Sequence, residues 1–194
     1  MAGSLRLGDY WTNIPNYEIR ATCPHCTDTT ESLAHVLTEC ETEANATIWE
    51  LTKQAWPEPT DNWTVPAIGH ILGCGNITPT TNEQGTSPPQ QRGIARLKRI
   101  LLSEAAYLLW TLRCDHVISG QSYSRTAITT RWKRAIEARL DIDRRLAKTN
   151  RKQYSKMKVL HTWTPIILNP ESLPRDWTTN IEVLVGIKLP RPPD

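Results

Sequence analysis

Cys23-Pro24-His25-Cys26, followed by His35 and then Cys40, is the stretch that decides how this chain is read. Written as a pattern it is C-x2-C-x8-H-x4-C. Three thiols and an imidazole so close together form the complete ligand set of a tetrahedral structural zinc site. Cys23 and Cys26 would bind from one tight turn, His35 from the end of a short helix, and Cys40 from just beyond it. His35 and Cys40 are five apart, and an ideal helix does not bring such positions to one face. The helix must therefore end or loosen between them, and Glu39-Cys40-Glu41 suits that break. His25 lies inside the knuckle and is the alternative ligand, expected to point away. Four protein ligands leave no open position for water, so the zinc is expected to be structural.

Around this hook the pattern is helical. Residues 8–20 read as an extended lead-in whose Tyr10, Trp11, Ile14 and Tyr17 pack beside the hook. Thr29 or Thr30 is expected to cap a helix over Glu31–Leu37, with Glu31 placed for the helix dipole. Ala44, Ile48, Leu51 and Ala55 recur at helical spacing over 41–56, and Pro57 and Pro59 end that run. A shorter apolar piece lies between Trp63 and Cys74. Residues 76–91 are polar with scattered Gly and Pro, and read as a flexible linker. From Arg92 to Ile118 the apolar positions Leu97, Leu101, Ala105, Leu108 and Leu112 describe a long central helix that ends at Gly120. Ser122 or Ser124 then caps a helix over 125–148 with the stripe Ile128, Trp132, Ile136, Leu140 and Leu146. So short a turn makes the two an antiparallel hairpin. The remainder, with Ile166, Trp177 and Val183–Ile187, reads as an extended tail.

The expected organisation is mainly α. A zinc hook with short helices occupies 1–75, a linker 76–91, a basic helical hairpin 92–158, and an extended tail packing on the helices 159–194.

The net charge of +3 hides an uneven distribution. Residues 1–91 carry three Lys/Arg against eleven Asp/Glu, a balance of −8. Residues 92–158 carry seventeen against five, a balance of +12. Such a segment can hold a polyanion, pair with the acidic front of its own chain, or stand as a solvated helix face. The candidate nucleic-acid contacts are Arg131, Lys133, Arg134, Arg144, Arg145, Arg151 and Lys152. RNA or DNA would be met at its phosphates. Five cysteines, four zinc-type ligands in one cluster and no apolar leader point to a reducing, intracellular setting rather than a disulfide framework. No apolar run is long enough to span a membrane.

Several stretches resemble the zinc-binding tail of fungal non-LTR-retrotransposon polyproteins. They are Gly8-Asp-Tyr-Trp-Thr-Asn-Ile-Pro15, the Cys-x2-Cys turn, Glu31-Ser-Leu-Ala-His35-Val-Leu-Thr-Glu39-Cys40, Trp49, Arg99–Trp110, Arg113–Ile118, Arg131-Trp132 with Ala138–Arg144, and Leu173–Trp177 with Val183–Gly186. In that family the hook follows a reverse transcriptase and a ribonuclease H domain. The resemblance implies a nucleic-acid-linked accessory role and a retroelement polyprotein as a possible partner.

Catalysis is not expected of this chain. Two-metal nuclease chemistry needs convergent carboxylates. Asp141 and Asp143 are two apart on a helix and point apart, while Glu104 and Asp115 are expected to pair with arginines. Cys114 and His116 are likewise separated by helix geometry, and no phosphate-binding glycine loop is present. A structural or protein-interaction module is the alternative reading, and a metal-dependent nuclease the third.

Overall fold

The structure is a computed structural model, and it describes residues 6–26, 29–61, 63–82, 84–149 and 155–188. Six α-helices set the frame: α1 (Asp9–Thr12), α2 (Glu43–Gln54), α3 (Ile68–Leu72), α4 (Pro89–Ser119), α5 (Arg125–Lys148) and α6 (Lys156–Trp163). The chain is mainly helical, and among the described residues the only β pairing is two isolated bridges.

Local signals fix the helix ends. Thr42, Ser124 and Ser155 each accept a backbone N–H of the first turn of α2, α5 and α6, from Asn45, Ala127 and Lys158. Pro89 opens α4, where a missing N–H costs nothing. Gly120, left-handed at φ 64°, closes it. At 31 residues α4 is about 46 Å long and forms the axis of the molecule.

The hairpin is antiparallel, and its ion pairs show it. As the α4 residue falls from Asp115 to Glu104 to Arg96, its α5 partner rises from Arg131 to Arg139 to Asp143. The α2 helix packs on α4 and α5, where Trp132 Nε1 donates to Thr52 Oγ1 at 3.3 Å. The α6 helix packs against the same pair. One apolar cluster runs from Val36 and Leu37 through Ile48, Leu97, Leu101, Ile128, Trp132, Ile136 and Trp163 to Trp177 and Ile187. It draws on the hook, the hairpin and the tail alike. Burial of each such Leu or Ile side chain is worth about 1.5–3 kcal/mol.

Three expectations need correction. The lead-in is helical in part, with α1 and a 3-10 turn at Glu18–Ala21, because Asp9 and Glu18 each start a local turn. Tyr10 and Tyr17 stay largely exposed there. The tail begins as a helix: Val159 and Trp163 are four apart, and both enter the core from α6. Beyond it the chain is extended only locally, where Leu168 N–H donates to Gly186 O and Lys188 N–H to Ile166 O. Finally, the α5 stripe does not continue to Leu146, which is half-buried. After Leu140 the inward face carries Asp143, Arg144 and Ala147. The stretch read as a linker has no regular structure among its described residues between Ile77 and Pro88, but its last three residues, from Pro89, already belong to α4. Its start is held, since Arg99 donates to Ile77 O through Nε at 3.1 Å and also through Nη2.

Helices α4 and α6 cross at Gly93. A Cβ built there would lie 2.3 Å from His161 O, so only a residue without one lets the backbones meet. Gly93→Ala is expected to cost about 1–3 kcal/mol in urea denaturation. Gly69→Ala, with open space around its Cβ and a helical backbone, should leave stability unchanged or raise it by up to about 1 kcal/mol. Equal midpoints for the two variants would refute this crossing.

Candidate metal centre

The knuckle is the tip of a minimal hairpin. Thr22 and Thr30 form an antiparallel bridge, Cys23 N–H donates to Thr29 O, and Glu31 N–H donates to Ala21 O. Cys23 and Cys26 are thereby held at the two ends of one turn. Ser32 then caps the next segment, its Oγ accepting His35 N–H at 2.9 Å. The helix therefore starts later than Thr29 or Thr30 would place it. It runs as a π-helical turn over His35–Glu39, with Cys40 N–H donating to His35 O at 2.8 Å. This wider turn is the loosening that the His35–Cys40 spacing requires: a five-residue hydrogen bond puts both side chains on one face. The carbonyls it leaves over are met from α2. Asn45 Nδ2 donates to Val36 O at 3.1 Å and Trp49 Nε1 to Leu37 O at 2.8 Å.

The result is that one ligand atom from each of Cys23, Cys26, His35 and Cys40 lies within 4.8 Å of the others. Cys40 Sγ stands 3.7 Å from Cys23 Sγ and 3.6 Å from Cys26 Sγ. These separations are far beyond the roughly 2.05 Å of a disulfide. Burial, reinforced by hydrogen bonds from the Cys26 and Cys23 thiols, pushes the Cys40 thiol pKa well up. A metal ion is what would draw the Cys40 proton out and make that sulfur a thiolate ligand. His35 Nε2 is buried with no hydrogen-bond partner, an orphan that a metal would satisfy. On the other side of the ring, Nδ1 faces Glu39 Oε2 at 3.9 Å. The four residues can hold one metal ion, and among the described residues this is the only such group.

His25 is not part of the cluster. Its ring stacks on that of His116 at 4.6 Å, facing α4. Burial lowers its pKa and His116 adds to the effect, against a smaller opposite pull from Glu31.

Glu31 is the residue that the sequence pattern misplaces. It is 2% exposed and is met by Arg113 of α4 in a two-pronged ion pair, with Nε donating to Oε1 at 3.0 Å and Nη2 to Oε2. Helix-dipole chemistry plays no part. Behind this pair lies a cavity of about 310 Å³ between the hook, α2, α4 and the start of α5.

The basic candidates divide. Arg134 is exposed and has no ion-pair partner among the described residues. Lys133 and Arg145 pair along α5 with Glu137 and Asp141. Arg131 pairs with Asp115 and lies 3.8 Å over the Tyr123 ring. Tyr123 Oη also donates to Asp115, and these two bonds hold that carboxyl below its ordinary pKa, the Tyr123 bond most strongly. Arg144 is a correction. It is 5% exposed and donates to the carbonyls of Trp177, Asn180 and Val183, so it fastens the tail and is withdrawn from any nucleic-acid face. Arg151 and Lys152 lie outside the described residues. Asp141 and Asp143 do point apart: Asp143 faces inward to Arg96 and to Trp163 Nε1. Comparison with protein-family models, curated proteins and solved structures returned no match.

Arg113→Met leaves a buried carboxylate without its cation and is expected to cost about 3–5 kcal/mol. Adding Glu31→Gln should restore most of that loss in a double-mutant cycle by denaturant titration. Additive losses would mean that the pair is not coupled. Tyr123→Phe should raise the Asp115 pKa, which carboxyl NMR titration reads directly.

Proposed function

We propose that the chain is a non-catalytic zinc-binding module of retroelement origin that associates with nucleic acid. The observation that carries it is the geometry of the cluster. Sulfurs each about 2.3 Å from a tetrahedral zinc lie about 3.8 Å apart. The 3.6 and 3.7 Å separations fit that figure, and the partnerless His35 Nε2 supplies the fourth donor. Cys₃His with no open position is a structural set, and zinc held there contributes folding energy. Its effect would be to lock the knuckle to the π turn, and through Glu31 and Arg113 to α4.

The carboxylates support the non-catalytic reading. Glu104, Asp115, Asp141 and Asp143 are each taken by a separate arginine. Nucleic-acid association rests on what the basic segment leaves over. Among its described residues, Arg92, Arg125, Arg134, Lys148 and Lys156 are exposed and have no ion-pair partner. Three to five phosphate contacts would give a logarithmic salt slope of about −2.7 to −4.5 on duplex DNA. The retroelement origin rests on the family resemblance of the hook and helices.

A structural or protein-interaction module is the second reading. The ion pairs between halves favour it: Glu31 and Glu58 of the acidic front take Arg113 and Lys98 of the basic segment. No helix among the described residues is long and apolar enough to cross a membrane.

Purified protein should carry one zinc per chain by elemental analysis, and a chelator should lower its melting midpoint. Cys26→Ser should weaken zinc binding by more than the roughly 10–100-fold that losing an outer partner of a ligand costs. An equimolar metal other than zinc, or a melt indifferent to chelator, would reject the zinc reading. In gel shifts over a salt series, Arg134→Glu should weaken RNA or DNA binding. Absence of binding at low salt would leave the interaction module standing.

A further inference from the structure

The three sulfurs of the metal cluster are not equivalent. Cys23 and Cys40 are buried, at 3% and 6% exposure, whereas Cys26 is only half-buried. Their backbones differ too. Cys23 N–H donates to Thr29 O at 2.9 Å, beside the bridge of Thr22 and Thr30. Cys40 is held on both sides, its N–H donating to His35 O at 2.8 Å and its carbonyl accepting Thr42 N–H at 2.9 Å. Among the described residues Cys26 is held through its carbonyl alone, which accepts Thr29 N–H at 2.8 Å. Cys26 is therefore the sulfur that an oxidant in solution reaches first and the one freest to move.

Cys40 is the common neighbour. Its Sγ stands 3.6 Å from Cys26 Sγ and 3.7 Å from Cys23 Sγ. A sulfenic acid formed on Cys26 would arise in contact with a second thiol, an arrangement that leads to a disulfide rather than to further oxidation. Closing that bond draws the two sulfurs together by about 1.6 Å. Cys74 and Cys114 lie outside the cluster and take no part.

We propose that the cluster is a two-electron redox switch, in which hydrogen peroxide joins Cys26 to Cys40 and a metal ion held there is released. The release rests on the metal-binding reading, whereas the sulfur pairing does not. The Cys26 sulfur attacks one peroxide oxygen, the O–O bond breaks, and the second oxygen leaves as water. The Cys40 sulfur then attacks the Cys26 sulfur, an S–S bond forms, and the sulfenic hydroxyl leaves as a second water. Two thiols and one peroxide thus give one disulfide and two waters. Where the sulfurs start as thiolates, solvent supplies the two protons. The sulfurs lose two electrons and the peroxide gains them. Two of the four donors are consumed, and Cys23 with His35 is too small a set to keep zinc. The new bond links the same knuckle and π turn that a metal would link, so the oxidised chain keeps its fold while giving up its ion.

The experiment treats the full-length, zinc-loaded protein with hydrogen peroxide, follows zinc with a chromogenic chelator and alkylates the remaining thiols. After unfolding, cleavage behind Glu31 parts the knuckle cysteines from Cys40, and fragmentation between Cys23 and Cys26 shows which of them is joined. The expected result is a Cys26–Cys40 disulfide, one zinc freed per disulfide, and a melting midpoint above that of the reduced, chelated protein. Dithiothreitol with zinc should restore the starting state. Cys23→Ser should still form the bond. Metal-free Cys26→Ser should oxidise at the cluster roughly tenfold more slowly than metal-free wild type, because both remaining sulfurs are buried. Cluster thiols that stay reduced would overturn the proposal, as would Cys23–Cys26 or Cys23–Cys40 as the main product. Disulfide formation without zinc loss from the loaded protein would overturn it too. A Cys26–Cys40 disulfide in protein that never takes up zinc would support the pairing and reject the zinc reading alone, so the two failures are distinguishable.

Discussion

A carboxylate withdrawn from water has to be met by a cation, and Glu31 is met by Arg113 across 82 positions of sequence. That contact decides how the front of the chain sits on the rest. It fixes the strand that leaves the knuckle against the second half of α4. It also brings His25 onto His116 and frames the cavity between them. Removing either partner would strand a charge in a low-dielectric setting, which is costlier than never having buried the pair. The ion pair thus acts mainly as a registration device, while apolar burial supplies the stability around it.

The same logic recurs at the other end of the bundle. Asp143 accepts from Arg96 at 2.5 and 2.7 Å and from Trp163 Nε1 at 2.7 Å, so one carboxylate ties α4, α5 and α6 together. One position on, Arg144 spends its donors on three tail carbonyls that have left regular structure. Buried backbone acceptors need partners, and here a side chain supplies them in place of a sheet. Arg96, Arg113 and Arg144 are therefore internal fasteners, and a good part of the excess positive charge of 92–158 never reaches the surface.

This explains what could be read from the sequence and what could not. The metal cluster was legible because ligand spacing within one short stretch is a local property. Helices α2, α4 and α5 were legible because each runs long enough to display its period. The α6 helix is two turns long, too short for Val159 and Trp163 to stand out as a pattern. Arg134 and Arg144 look alike in sequence and differ only in helical phase against a tail that arrives later. Glu31 looked like a helix-start acid because its neighbours are Thr and Ser, and its true partner is remote. Local chemistry was readable, whereas long-range pairing was not.

The π turn at His35–Glu39 carries one more consequence. Its surplus carbonyls depend on Asn45 and Trp49, and those side chains are placed only when α2 is folded and docked. The ligand geometry is thus preorganised by residues beyond the ligand loop itself. A peptide ending at Cys40 would contain all four donors and yet lack the groups that hold His35 and Cys40 in phase. The unit that shapes this candidate metal site is larger than the motif that announces it.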